Sequence, residues 1–410
     1  MNKKVAITAY DVDPYKGSES TTGWNFPYHI AKLSGFDVTV FTRENNQENI
    51  DKYIQNHPEL KLENLHFEYF DLPKKYLFWK KGARGATLYY YLWQFFVINK
   101  IKRTNRYDLY HALNFHADSF PSFLWRIKGP FVWGPISHHE PIDNKFFADY
   151  PNIEKYKDKI RAMVKYCLWK ADPFLKICCD RADIIFAGHS MVAKRLNLAK
   201  SKVRILNQVA SLELLINAPK STVRNTFKFV TIGRTVPLKG FDLAIEAFIA
   251  AEKKLLNAQE PINIELLIIG DGKYTEQLKK LSQSSDNISF TGWLEHSKVY
   301  ELIQSSNVFL FPSHEGAGMV IAEAASMGLP IITFDNYGAG ELIGNDCGIK
   351  VNCEQSRELI VNSLSSAILT MANDNEAYLN YSNAIKKHYR TKMTWDAKAI
   401  EIIKTYQELL

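Results

Sequence analysis

The sequence predicts an α/β protein of two doubly wound parallel-sheet domains. Three observations point there. Short apolar runs of strand length alternate with helical stretches from the first residues onward. The series stops in a loop-like stretch, Leu206 to Asn225, and begins again at Phe227. At 410 residues, with 46% hydrophobic and 23% charged residues, the chain has room for two cores of ordinary globular composition.

Val5 to Thr8 reads as strand one, followed by a polar loop from Asp11 to Ser20, a helix over Gly23 to Leu33 and strand two at Val38 to Phe41. Strand three is placed at Leu65 to Tyr69, four at Leu109 to His111, five at Phe131 to Trp133 and six at Ile184 to Ala187. Val203 to Ile205 reads as a last strand of this half. In such a domain ligands bind beyond the carboxyl ends of the strands. The loops after strands four and five carry His111 and His116, then His138 and His139, and are expected to face a site.

The stretch from Lys74 to Arg103 holds no Asp or Glu, and its basic clusters flank Tyr76, Phe78, Trp79, Tyr89 to Tyr91, Trp93, Phe95 and Phe96. That pattern suits an anionic lipid interface; it also suits a core helix with solvated ends. The longest apolar run, Leu88 to Ile98, is interrupted by Gln94 and is shorter than the ~20 residues a bilayer span needs. The N-terminus is read as a first strand rather than a signal peptide. Five cysteines at irregular spacing fit reduced thiols, and with them a cytoplasmic protein, peripheral on the inner face of the plasma membrane if the basic stretch touches lipid. A net charge of +7 is compatible with phosphate-bearing ligands or an anionic surface and too small to argue nucleic acid.

In the second half, Phe227 to Ile232 is a strand leading into Gly233-Arg234-Thr-Val-Pro-Leu-Lys239-Gly240 and a helix over Phe241 to Leu255. A guanidinium and an ammonium separated by one turn can hold a diphosphate from two sides. Ile264 to Ile269 is a strand ending in Gly270-Asp271-Gly272, and Ile288 to Phe290 leads to Gly292-Trp293-Leu294. Val308 to Phe311 is a buried strand that Pro312 and Ser313 end. Glu315-Gly316-Ala317-Gly318 is a glycine turn entering a helix at Met319. Such a turn aims unpaired N–H groups, at the positive end of the helix dipole, toward phosphate oxygens. Gly328 is placed to stop the helix, and the next strand starts at Leu329. Glu323 sits one turn inside the helix, roughly 10 Å from Glu315, about the reach from a ribose across a diphosphate to a sugar. Carboxylates suit hydroxyl ligands because they accept several hydrogen bonds. Alone, the same residues also suit an ordinary βα turn with two surface glutamates. Gly348 to Val351 is a final strand, and three helices follow. The last, Asp396 to Leu409, has Ile400, Ile403, Tyr406 and Leu410 at helical spacing.

The Glu315-to-Glu323 stretch resembles the Glu-x7-Glu motif of the retaining nucleotide-sugar glycosyltransferases of family 4, the glycosyltransferase group 1, which have the GT-B fold. Gly233, Arg234, Lys239 and Gly240 are similar to that family's Gly-Arg…Lys-Gly signature, and Gly17-Ser18-Glu19 with Gly23-Trp24 to its first loop. The family usually has Phe where this chain has Ala317, a residue that contributes through its backbone. The family's Thr-Phe-His-like pattern after strand five is replaced by Trp133-Gly134-Pro135. The resemblance implies an acceptor-binding Rossmann-like domain over 1–208, a nucleotide-sugar-binding one over 209–389, a cleft between them, and a C-terminal helix over 390–410 packing back on the first.

It implies a hexose-type sugar moved from a nucleotide-diphosphate sugar to an acceptor hydroxyl, with retained configuration, in polysaccharide or glycolipid biosynthesis. Arg234, Lys239 and Glu315 take the catalytic roles. Gly17, Gly233, Leu294, Gly316, Ala317, Gly318, Met319 and Glu323 bind the donor, Leu294 by its backbone at the nucleobase and Glu323 at the ribose. Ser18, His111, His138 and His139 are the acceptor-side candidates. No metal and no cofactor is expected beyond the donor itself; the other partners are a saccharide or lipid-linked acceptor and an anionic membrane surface. A nucleotide-sugar epimerase of the same fold and a non-catalytic nucleotide-sugar-binding subunit are the alternatives.

Overall fold

The strands form two separate sheets, and every strand pair is parallel among the described residues. The computed structural model describes residues 2–410 apart from Ser18, Lys61, Lys74, Tyr76, Phe78, residues 80–84, Asn105, Phe115, residues 213–225 and Glu260. In chain order the elements are β1 (Lys4–Ala9), α1 (Glu19–Leu33), β2 (Asp37–Thr42), α2 (Gln47–Asn56), β3 (Leu65–Tyr69), α3 (Ala86–Thr104), β4 (Leu109–Asn114), β5 (Phe131–Ile136), α4 (Asn152–Ala171), α5 (Pro173–Arg181), β6 (Ile184–Ala187), α6 (Ser190–Arg195) and β7 (Val203–Ile205). Then come β8 (Phe227–Ile232), α7 (Phe241–Leu256), β9 (Ile264–Ile269), α8 (Thr275–Leu281), β10 (Ile288–Gly292), α9 (His296–Gln304), β11 (Val308–Phe311), α10 (Met319–Ser326), β12 (Ile331–Phe334), α11 (Ala339–Leu342), β13 (Gly348–Val351), α12 (Arg357–Asn373), α13 (Asn375–His388) and α14 (Trp395–Leu409).

The chain divides into two compact units. Unit 1 comprises residues 1–138, 163–208 and 395–410. Its seven-stranded sheet runs β3-β2-β1-β4-β5-β6-β7, so the order reverses beside β1. The strands are continuous apolar runs because helices cover both faces; Val5, Ala6, Ile7, Val38, Val40 and Ile185 have no exposed surface. Burying each large apolar side chain contributes about 1.5–3 kcal/mol.

Helix α14 belongs to unit 1 and packs on α1, while residues 390–394 cluster with unit 2. Its Trp395 meets Phe26 of α1 edge to face at 5.3 Å, and Asp396 Oδ1 accepts from His29 Nδ1 at 2.5 Å. The buried face is Ala399, Ile402, Ile403 and Tyr406, whereas the predicted Ile400 is 43% exposed. Spacing locates the stripe to within a turn, and packing on α1 selects which rows it contains.

Helix α3 is core. Tyr89, Tyr90, Trp93, Val97, Ile98 and Ile101 are buried, Trp93 Nε1 donates to the Phe70 carbonyl at 2.8 Å, and Lys100 pairs with Glu68 at 2.9 Å. Of the described aromatic residues in the Lys74-to-Arg103 stretch, Tyr89, Tyr90 and Trp93 are buried, Trp79, Tyr91 and Phe95 are half-buried, and Phe96 is 39% exposed. Its Lys74, Tyr76, Phe78, Lys80, Lys81 and Arg84 lie outside the described residues.

Unit 2 comprises residues 139–162 and 209–394, with a six-stranded sheet in the order β10-β9-β8-β11-β12-β13. Residues 139–162 lie within the expected first domain but cluster here. The reason is a buried polar network: Arg357 of α12 bonds Asp149 (2.5 Å), Asp242 (2.9 Å) and Glu246 (2.5 Å), while Tyr150 donates to Asp242 at 3.0 Å. Burial pushes the Asp242 carboxyl up to about 6 despite the guanidinium beside it. Phe146 completes the packing in the apolar core between α7 and α12. Helix α10 ends at the predicted stop. Leu329 N donates to Ala324 O and Gly328 N to Ala325 O, a Schellman motif that needs the left-handed φ of +70° at Gly328.

No described helix is long and apolar enough to cross a membrane.

Candidate functional site

In unit 2 the sheet order reverses between β8 and β11, since β9 lies on one side of β8 and β11 on the other. A parallel sheet opens a crevice at such a point, beyond the carboxyl ends of its strands, because the connecting helices leave to opposite faces. The loop after β8 carries Gly233, Arg234 and Lys239; the loop after β11 carries Glu315 to Gly318. The two predicted motifs, far apart in sequence, meet there.

Lys239 Nζ donates to Glu315 Oε2 at 2.7 Å, with side chains 10% and 19% exposed. The ammonium also lies 5.1 Å from the centre of the Phe311 ring. The backbone holds this geometry. Lys239 closes a 3-10 turn at Gly240, whose φ of +65° is left-handed and whose Cβ, if present, would lie 2.0 Å from the Pro312 carbonyl oxygen. Ser313 Oγ accepts from the Glu315 N–H at 3.2 Å. Asn336, in the loop after β12, donates to the Ser313 carbonyl and accepts from Gly338 and Gly340 N–H, tying a third loop to the second.

Arg234 is exposed, and no hydrogen bond or ion pair holds its guanidinium among the described residues. Helix α10 starts at Met319 with Gly318 as an uncapped first position. Its first N–H groups therefore lack side-chain acceptors, and its dipole favours an anion beside Gly316, Ala317, Gly318 and Met319. Gly233 packs against the Lys239 stem. Glu315 Oε1 has no partner among the described residues and remains open to a hydroxyl donor.

Glu323 lies one turn into α10. Its Oε1 accepts from His296 Nε2 at 3.1 Å, and that bond raises the imidazole's affinity for its proton. The His296 ring packs on Tyr300 at 4.4 Å; burial, with the charge of Glu323, pushes the Tyr300 hydroxyl's pKa up. Leu294 is half-buried just after β10, beside the exposed Trp293. The sequence reading missed His296 and Tyr300. Their one signal is i, i+4 spacing at the start of a helix that follows the Gly292 loop. It also missed His314, half-buried between Phe146 and Phe334, whose buried Nε2 has no partner among the described residues and whose pKa desolvation pushes down to about 3.

The candidates of unit 1 divide. Gly17 is exposed in the loop after β1, and Ser18 lies outside the described residues. His111 is fully buried. A carbonyl only accepts, so Nε2–H donates to Gly134 O (2.6 Å) and Nδ1 accepts the Tyr406 hydroxyl (2.5 Å). Both nitrogens are used inside the core and desolvation pushes the pKa down to about 4, so His111 fastens β4 to β5 and α14 and meets no acceptor. His116 is likewise buried, bonding the Pro135 carbonyl. His138 is buried with Nδ1 2.7 Å from Asp118 Oδ2 and 2.5 Å from Arg195 Nη1. His139, the remaining candidate, clusters with unit 2 and is half-buried.

Residues 216–388 match the family model of glycosyl transferases group 1. A GDP-mannose-dependent monoacylated alpha-(1-6)-phosphatidylinositol monomannoside mannosyltransferase of Corynebacterium glutamicum is 27% identical over 172 residues, 40% of this chain and 42% of that protein. The chain thus spans less than half the length of that curated relative. HepE of Anabaena, solved in complex with UDP and glucose, superposes over 100% of both chains with a TM-score of 0.59 at 16% identity. A glycosyltransferase of Rickettsia africae superposes over 100% of this chain and 98% of its own with a TM-score of 0.62 at 13% identity. The unit that carries the Lys239–Glu315 crevice thus matches the group 1 glycosyltransferases, and structural likeness along the whole chain gives the fold as GT-B.

Proposed function

We propose that the chain transfers a hexose-type sugar from a nucleotide-diphosphate sugar to an acceptor hydroxyl of a saccharide or lipid-linked saccharide, in polysaccharide or glycolipid biosynthesis. The observation that carries the reading is the Lys239–Glu315 pair at the β8/β11 switch point, flanked by Arg234, which has no partner among the described residues, and the uncapped N-terminus of α10. Two cations and a helix dipole converge where a diphosphate would lose its sugar. They oppose charge as it develops on the leaving group, in a setting that needs no reorganisation. On this reading no bound metal is required.

Glu315 orients the sugar through Oε1 while Lys239 holds Oε2. Glu323 receives the ribose through the oxygen that His296 leaves open. The bond from the anomeric carbon to the diphosphate oxygen breaks as the bond to the acceptor oxygen forms on the same face. The acceptor proton passes to the departing phosphate oxygen, and the configuration is retained. The donor of the Corynebacterium relative is GDP-mannose, and HepE holds UDP with glucose; backbone recognition of the base beside Leu294 accommodates either.

A thermal-shift panel of UDP-, GDP-, ADP- and TDP-sugars tests the reading, since a ligand at 100 times its dissociation constant stabilises by about 2.7 kcal/mol. The stabilising donor, incubated with saccharide and lipid-linked acceptors, is expected to give product with the donor's anomeric configuration. No shift with any of the four donors would overturn the assignment.

A further inference from the structure

Glu323 is held by one side chain. Its carboxylate is 12% exposed, and among the described residues its one hydrogen-bond donor is His296 Nε2, 3.1 Å from Oε1. A carboxylate only accepts, so Nε2 carries a proton and donates it. Nδ1 of the ring and Oε2 of the carboxylate have no partner among the described residues. His296 opens α9 and Glu323 lies inside α10, so the bond joins two helices of unit 2 that follow different strands. The Tyr300 ring, one turn along α9, packs on the imidazole at 4.4 Å. A glutamate turns about three side-chain torsions, and a carboxylate this buried with a single donor keeps its direction only while that donor stays.

We propose that His296 is a positioning residue for the donor: it grips Oε1 so that Oε2 meets the ribose hydroxyls, and a second proton on the imidazole strengthens the grip. The inference rests on the reading that Glu323 receives the ribose. The second proton enters at Nδ1, on a side chain 64% exposed, and makes the donor cationic; such a bond to a carboxylate is about twice as strong as a neutral one. The bond to Glu323 is also the main reason that the imidazole's pKa is raised above 6.5 in spite of desolvation, and Glu323 is the one charged group that acts on it among the described residues. Lys298 and Glu301 of α9 pair with each other at 2.5 Å. Burial, with the charges of Glu323 and Tyr389, pushes the Tyr300 pKa up and keeps that hydroxyl protonated. The dipole of α9 opposes a cation at its first residue, a smaller effect than the charge-assisted bond.

Two consequences follow for the donor. Affinity is full below the raised pKa of His296 and falls as pH rises through it, because the neutral ring holds Glu323 more weakly. A ribose 2′-hydroxyl gives the oriented Oε2 a partner that a deoxyribose lacks, so the site favours ribonucleotide sugars over TDP-sugars.

The test is calorimetric titration of the full chain with UDP-glucose, GDP-mannose, ADP-glucose and TDP-glucose, from about pH 5.5 to about pH 8.5. The best-bound ribonucleotide donor and its 2′-deoxyribose analogue are then titrated into His296→Ala and His296→Gln. The diphosphate of a nucleotide sugar keeps its charge across this range, so a pH dependence reports the protein. In the wild type the Kd should rise by about threefold to tenfold across the range, with clear discrimination against the analogue. His296→Ala should bind about tenfold more weakly at the acid end, lose the pH dependence and most of the discrimination, and raise KM with kcat within about twofold. His296→Gln keeps a donor that cannot titrate, so it should recover most of the affinity and stay flat with pH. The replaced side chain is mostly exposed, so both variants should melt at the wild-type temperature. Binding of none of the four donors by the wild type would overturn the proposed function and this inference with it. Equal affinity for the 2′-deoxyribose analogue in the wild type would overturn the ribose role of Glu323. Wild-type affinity and discrimination in His296→Ala, or a wild-type pH slope in His296→Gln, would overturn this inference alone.

Discussion

Replacing Lys239 by Ala removes two things at once, and their sizes can be separated. The first is structural. The Nζ–Oε2 bond at 2.7 Å is charge-assisted, and its partners are 10% and 19% exposed, so water screens it little. Hydrogen bonds to charged groups contribute about 1.5–3 kcal/mol, and Lys239→Ala should destabilise unit 2 within that range, since Glu315 is left half-buried without its partner. The second is chemical. Loss of one preorganised charge at a developing oxyanion costs about 3 kcal/mol, or roughly two orders of magnitude in turnover.

Arg234→Ala separates the two effects. Its guanidinium is exposed and unbonded among the described residues, so stability should change by no more than about 0.5 kcal/mol while turnover falls as it does for Lys239. Urea midpoints and kcat/KM with the stabilising donor measure both. Wild-type kcat/KM in either variant would refute the diphosphate assignment. An Arg234→Ala variant as unstable as Lys239→Ala would refute the geometry.

Three further outcomes are expected. Glu323→Gln should weaken donor binding by about 1.5–3 kcal/mol, and a 2′-deoxyribose donor that binds the wild type poorly should lose little more in the variant; equal losses for both donors would mean the carboxylate does not touch the ribose. On the proposed reading activity should persist in excess EDTA, because Arg234, Lys239 and the α10 N-terminus would face the leaving group; loss on chelation, restored by Mg²⁺ or Mn²⁺, would refute this. Burial holds the His111 pKa at about 4 in the folded chain against an ordinary 6.5, so the folded state binds this proton more weakly than the unfolded state does. Its share of stability is complete above about pH 6.5 and is lost as pH falls toward 4, about 3 kcal/mol in all. His111→Gln should therefore flatten the fall of the urea midpoint between pH 7 and 4.5, and an unchanged slope would place the titration elsewhere.

Much of the β8/β11 crevice was legible in the residue order because its parts are local. A strand buried on both faces is an unbroken apolar run, so β8, β9 and β11 read directly, with the ends of β8 and β9 at the predicted residues. Gly328 marked the end of α10, since an αL stop favours glycine. Arg234, Lys239, Glu315 and Glu323 stand out as candidates from turns and helix starts, which are also set within a few residues.

Tertiary structure decided the rest. Side-chain type says that His111 can bind a proton or a ligand; only the packing of β4 against β5 and α14 uses up both of its nitrogens. The grip of Arg357 on Asp149 and Asp242 assigns residues 139–162 to unit 2, and no local pattern encodes a bond across two hundred positions. Periodicity announces that α14 is amphipathic. It does not say that α14 turns Ile402 inward and Ile400 outward. Propensity and periodicity are properties of neighbours in the chain, whereas burial and pairing depend on residues brought together from far apart, and only the folded arrangement of both determines them.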